Sequence, residues 1–259
     1  MTRAQYIQYI ERKRAKYYPL ATRAFKKVLN QWTAELMVKI NAATNAGDMI
    51  NAADRQLNPD ELVKAMMQVY SVVGSDFARS TIKMVNERKA VKVELDWWLE
   101  YFKVYAKAKA AQKIVWITGT TEKIFKATVN KIVEAAGESG QSVQNMARDI
   151  QKELGFSNKA RATRIARTEV IGASNAGSLE GAKNAGIPLR KVWVPIVDDK
   201  SRPEHADMAG SEPIPLDQDF VVMGESISRP GEGSAENVIN CRCGLDYVSD
   251  LTYDDIINS

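Results

Sequence analysis

The sequence predicts an α+β protein, with a mostly helical first two-thirds forming an elongated bundle or arm and a small C-terminal α+β module containing a short sheet. Three observations carry this expectation. Apolar residues recur every three to four positions as far as residue 184, and after Pro188 short apolar runs alternate with polar stretches rich in Pro and Gly. The charge also reverses along the chain. Residues 1–30 hold eight Lys/Arg against one Glu, a net of +7, whereas 186–259 hold six basic and fourteen acidic residues, a net of −8. With 259 residues, 45% apolar and 26% charged, the chain suits one large or two modest domains and excludes collagen-like and disordered classes. The expected domains are a helical region over 1–140 and an α+β module over 141–259.

Taken in order, the basic segment before Pro19 predicts one helix, because proline tends to end one helix and open the next. Phe25, Leu29, Trp32, Leu36 and Ile40 form the apolar stripe of a second, ending at a break over Asn45–Asp48. Asn58-Pro59-Asp60-Glu61 combines a cap residue, a proline at the first helical position and early acids, which marks a third start. A further helix is expected over Val91 to Gln112, then a loop at Thr118–Thr121 and another helix as far as Gly137–Gly140. Ser142 caps the next, Gly155 closes it, and Ser157 opens a last helix to Asn184. Three strands follow, at Lys191–Val197, Asp219–Met223 and Asn240–Val248, separated by polar stretches long enough to be functional or held by partners.

No apolar run approaches the roughly 20 residues of a membrane span, and the first six residues lack a signal-peptide core, so neither a membrane nor secretion is expected. The two cysteines, Cys241 and Cys243, stand too close to staple the fold, which points to a reducing compartment. With the single histidine, His205, they supply three ligands of kinds that zinc takes, and Asp198, Asp199 or Glu204 is a candidate fourth. The plainer account is two small buried side chains and a hydrogen-bonded histidine, with no cofactor. A Cys/His nucleophile would need a helix N-terminus to lower the thiol pKa, and a nuclease-like site would use His205 as base with Arg202 and nearby acids.

Two other groups stand out. Arg167 and Glu169, embedded among apolar positions of the last helix, suit a buried polar network that orients the C-terminal loops, together with Asp199, Arg202 and His205. Arg3, Arg12, Lys13, Arg14, Lys16, Arg23, Lys26 and Lys27, interleaved with tyrosines, form a candidate contact for nucleic acid or a partner protein. Without a groove-reading motif, binding to DNA through them would be non-specific and salt-sensitive.

The ordered set Ile165-Ala166-Arg167-Thr168-Glu169, Asn175-Ala176-Gly177, Trp193, Asp199 to His205, Gly210, Pro215, Phe220, Pro230-Gly231 and Asn240-Cys241-Arg242-Cys243 resembles the phage Mu F-like head-morphogenesis family, the minor head proteins of tailed phages. The resemblance covers Ser142 to Val248. It implies a structural component of the prohead and virion, assembled in the host cytoplasm and placed in the capsid interior. The implied partners are the portal protein, the major capsid or scaffolding protein, and packaged DNA. No enzymatic activity is implied for the family as such; the competing reading is a metal-dependent hydrolase or nuclease centred on His205. Many relatives carry a His two residues before the Asn of the final motif, where this chain has Val238, so a metal site there would have fewer ligands. Some relatives carry an enzyme after the motif, whereas sixteen residues follow Cys243 here, too few for an appended domain.

Overall fold

A computed structural model describes residues 2–86 and 96–249. Six helices precede the first strand: α1 (Arg3–Ala15), α2 (Tyr18–Ala42), α3 (Ala46–Ala52), α4 (Pro59–Val85), α5 (Asp96–Ser139) and α6 (Val143–Lys183). Then follow β1 (Leu189–Val194), α7 (Pro203–Ala206), β2 (Ile214–Pro215), β3 (Phe220–Val222), β4 (Glu225–Ile227), α8 (Ala235–Val238) and β5 (Gly244–Ser249). The mostly helical chain with a small sheet-bearing C-terminal part is the fold class that the sequence predicts.

The helix starts have local causes. Thr2 and Gln5 close a capping box on α1. The Asn58 side chain accepts from the Asp60 N–H at 2.9 Å beside Pro59, and the Ser142 hydroxyl accepts from the Asn145 N–H at 3.3 Å. Gly140, at φ +65°, ends α5, as a residue without a Cβ can.

The expected break after α2 is present but short, at 43–45, because Asn45 itself caps α3 by accepting from the Asp48 N–H. Two other expected interruptions are not there. Thr118–Thr121 lies inside α5, where the hydroxyls of Thr118 and Thr121 donate back to the carbonyls of Ile114 and Ile117 and so remain compatible with the helix. Gly155 and Ser157 lie inside α6; Gly155 is exposed, while Leu154, Asn158 and Ala162 carry one buried stripe straight through. The first five residues of the helix expected from Val91 lie outside the described residues.

The described residues form two compact units. Residues 20–66 and 107–166 make one, in which the expected stripe of α2 is buried and Trp32 lies 4.4 Å from the Phe125 ring, centroid to centroid. Asn158 donates to Asn30 at 3.0 Å and to Thr33 at 2.8 Å in the same unit. The other unit comprises 2–19, 67–86, 96–106 and 167–249. In it β2, β1 and β5 form an antiparallel sheet, with Trp193 opposite Leu245 and Val194 opposite Gly244. β3 and β4 pair as a hairpin through Met223 and Gly224, both at positive φ, as a two-residue turn matched to strand twist requires. Asn240 to Cys243, expected inside the last strand, form the turn before β5, with Asn240 at φ +59°.

The core of this unit joins the end of α6 to Trp193, Phe220, Leu245 and both cysteines. α6 also lies against α4 so closely that a Cβ on Gly177 would fall 2.1 Å from the Gly74 carbonyl oxygen. Glycine is required there by contact rather than by a turn.

Candidate functional site

Three short segments bring the rare side chains together. Pro203 opens α7 and places His205 on its inner side; α8 carries Asn237; the turn after Asn240 presents Cys241 and Cys243. His205, Cys241 and Cys243 are 3%, 2% and 4% exposed, so the cluster is enclosed. The His205 Nδ1 lies 3.6 Å from the Cys241 Sγ and 3.5 Å from the Cys243 Sγ, and the three ligand atoms lie within 4.8 Å of one another. Trp193 meets the imidazole edge to face at 5.8 Å.

Asn237 decides the orientation of the histidine. Its Nδ2 donates to the Val222 carbonyl at 3.3 Å and to the Glu225 carboxylate at 2.9 Å, which fixes the amide so that Oδ1 faces the His205 Nε2 at 2.9 Å. Oδ1 can only accept. The imidazole therefore donates a hydrogen bond from its Nε2–H to Asn237, which turns Nδ1 to the two sulfurs. Hydrogen bonding from Cys241 and the nearby imidazole lower the Cys243 thiol's pKa, whereas hydrogen bonding to Cys243 and burial push Cys241 up. Cys243 and the Asn237 amide in turn raise the His205 pKa. The arrangement can hold a soft-to-borderline metal ion or share a proton between thiolate and imidazole.

A buried cation supports the turn from the other side. Arg14, 2% exposed on α1, donates to the Ser174 hydroxyl at 2.8 Å, the Asn175 Oδ1 at 3.0 Å, and the carbonyls of Arg242 and Cys243 at 2.8 and 3.1 Å. Asn175 also donates to the Cys243 carbonyl at 3.0 Å. Burial lowers the Arg14 pKa. Tyr6, two turns earlier on the same face, donates to the Leu245 carbonyl.

The residues expected from sequence fall into different surroundings. Arg167 and Asp199 are exposed, Glu169 is buried and accepts from the Tyr70 hydroxyl at 3.1 Å, and Arg202 donates to the Ile239 carbonyl at 2.6 Å. Only His205 of those five belongs to the buried cluster. The candidate fourth ligands are also elsewhere. Asp198 is gripped by the Arg242 guanidinium, which holds its carboxyl well below the usual range, and Asp199 and Glu204 are exposed. Of the basic residues, Arg3, Arg12, Lys16, Arg23 and Lys27 are exposed and Lys26 is half-buried. Lys13 and Arg14 correct the expectation of a partner-facing arm. Lys13 pairs with Asp76 at 3.1 Å over the Phe77 ring, and Arg14 is locked under the cysteine turn. Sequence reasoning missed Asn237 altogether and gave Arg14 the wrong surroundings, although Tyr6, Ile10 and Arg14 share one helix face at intervals of four.

Fold and site together define a helical protein bearing a small α+β module organised on a buried His-Cys-Cys cluster. Residues 127–246 match the model of the family described as Phage Mu protein F like protein. Over 126 residues the chain is 32% identical to the NAD(+)–arginine ADP-ribosyltransferase EFV of Enterococcus faecalis, covering 47% of this chain and 25% of that protein. Over 157 residues it is 29% identical to the uncharacterized protein YqbB of Bacillus subtilis, covering 56% of this chain and 51% of that protein. The chain thus spans a quarter and about half of these two relatives. No solved structure matches it. Among the described residues, no helix is long and apolar enough to cross a membrane.

Proposed function

We propose that this chain is a minor head protein of a tailed phage, a structural component of prohead and virion that associates with the portal or the capsid interior and touches packaged DNA through exposed basic side chains. The observation that carries this reading is the family match over 127–246, which supports a phage head-morphogenesis protein. The geometry supports a structural role for the motif residues. Cys241 and Cys243 are core side chains, and their turn is tied by Arg14 and Asn175 to α1 and α6. The transferase activity named for the Enterococcus faecalis relative belongs to a protein of which this chain matches a quarter.

A hydrolase centred on His205 is the weaker reading. The cleft beside the cluster is lined by Ile196, Lys200, Ser201, Arg202, Asn240 and Arg242, has room for about one water, and offers no carboxylate as general base among its described residues. Mass spectrometry of purified proheads and virions tests the proposal: the protein should be present in both at a few copies, and its absence from both overturns the reading. The DNA interaction has its own test. Replacing Arg3, Arg12, Lys16, Arg23 and Lys27 by Gln should flatten the dependence of log K on log salt by roughly 0.9 for each phosphate no longer neutralised. An unchanged slope would exclude DNA as a partner of these side chains.

A further inference from the structure

We propose that His205, Cys241 and Cys243 bind a zinc ion through Nδ1 and the two sulfurs, with the fourth position open to water from the adjoining cleft. The inference is independent of the phage assignment and rests on this chain's own geometry. A tetrahedral zinc ion with a Zn–N bond of about 2.05 Å and a Zn–S bond of about 2.3 Å places nitrogen and sulfur ligands about 3.5–3.6 Å apart. The two separations here are 3.5 and 3.6 Å. A thiol hydrogen bond explains this less well, because one Nδ1 lone pair accepts one S–H, yet both sulfurs stand at nearly the same distance from it. A shared metal accounts for both.

The surroundings match what a zinc histidine needs. The Asn237 Oδ1 accepts a hydrogen bond from the Nε2–H, which orients the ring so that Nδ1, the nitrogen a metal would take, faces the sulfurs, and Glu225 and the Val222 carbonyl hold Asn237 in turn. Arg14 and Asn175 bond to the backbone of the cysteine turn and set the angle at which the sulfurs arrive. Trp193 covers one side of the imidazole. The adjoining cleft, edged by Ser201, Arg202 and Arg242, has room for about one water, which would supply the fourth ligand. Two thiolates and a neutral imidazole neutralise the ion, so its burial carries little net charge.

The test uses the intact, untagged chain. Elemental analysis should find roughly one zinc per chain, and dialysis against cobalt should produce thiolate-to-cobalt charge-transfer absorption with the visible bands of a tetrahedral ion. Cys241→Ser and Cys243→Ser should each lose the charge-transfer intensity of one sulfur. If those variants do not fold, Asn237→Ala leaves all three ligands in place and should weaken zinc affinity about 10–100-fold in a chelator competition. A folded wild-type chain that carries no zinc, takes up no cobalt and shows two freely titrating thiols after mild denaturation overturns the proposal. So does iron at full occupancy, or Asn237→Ala binding zinc as tightly as the wild type.

Discussion

Along α6 the environment changes near Ala166. From Val143 to Ala166 eight of 24 residues are buried, the stripe of an amphipathic helix, whereas from Arg167 to Lys183 fourteen of 17 are buried. The first stretch belongs to the unit built on Phe25, Leu29, Trp32 and Phe125, where large apolar side chains fill the space between helices. The second runs through the other unit and is rich in small and polar residues: Gly172, Ser174, Asn175, Gly177, Ser178 and Gly181. There backbones approach closely, and much of the cohesion comes from hydrogen bonds made by Arg14 and Asn175. One helix thus serves two cores, the first filled by large apolar side chains and the second adding directed polar interactions to its apolar packing, and most of the motif residues of α6 lie in the second.

The largest effect expected to separate the two is at Arg14. Arg14→Met removes donors to Ser174, Asn175 and the carbonyls of Arg242 and Cys243, taking the Arg14 donors from the Asn175 Oδ1 and the Arg242 carbonyl and leaving the Cys243 carbonyl with Asn175 alone. The loss should be about 4 kcal/mol in urea unfolding, against less than about 0.5 kcal/mol for Arg12→Met, whose residue is exposed on the same helix. Near-equal effects would mean that apolar packing holds this unit too.

Lys191 sharpens the comparison through pH. Its side chain is fully buried, its Nζ donates to the Ser228 carbonyl at 2.8 Å and lies 5.2 Å over the Phe220 ring, and burial lowers its pKa to about 8. The native state therefore releases this proton near pH 8, while the unfolded chain keeps it to about 10.4, so between those values the unfolded state binds more protons and stability rises with pH. The contribution of Lys191 to that rise should be about 3 kcal/mol and be missing in Lys191→Met. Parallel profiles for the two proteins would show that Lys191 is neutral in neither state and that the core around it is wetter than the geometry indicates.

Legibility in the sequence followed the same division. The apolar stripe of α2 and the cap at Asn58-Pro59 were readable because their causes lie within a few residues. The false breaks at Thr118–Thr121 and Gly155–Ser157 show the limit of local cues: a threonine whose hydroxyl bonds the carbonyl four residues back, or an exposed glycine, sits in a helix when a buried stripe runs on through both sides. His205, Cys241 and Cys243 were recognisable by rarity and side-chain chemistry. Arg14 was not, because its partners lie up to 229 positions away and its composition reads as part of a basic tail. Asn237 was invisible for a related reason, since only the Val222 carbonyl and Glu225 give its amide a direction.

The smallest effects expected are at two glycines of α6, and they should have opposite signs. At Gly155, in the stretch packed by volume, a Cβ would meet nothing within 4 Å, so Gly155→Ala should gain up to about 1 kcal/mol from helix propensity alone. At Gly177 the same methyl would overlap the Gly74 carbonyl oxygen, and because both partners are helix backbone, neither can swing aside as a side chain would. Separating α4 from α6 enough to admit it would loosen Gly181 against Ala78 as well, where a Cβ would already lie 2.4 Å from the Ala78 oxygen. Gly177→Ala should therefore lose about 2–3 kcal/mol despite the same gain in propensity. Thermal unfolding of the two variants reads the difference directly. A stabilising Gly177→Ala would mean that the helices are farther apart than described, and that the second half of α6 is packed by ordinary side chains like the first.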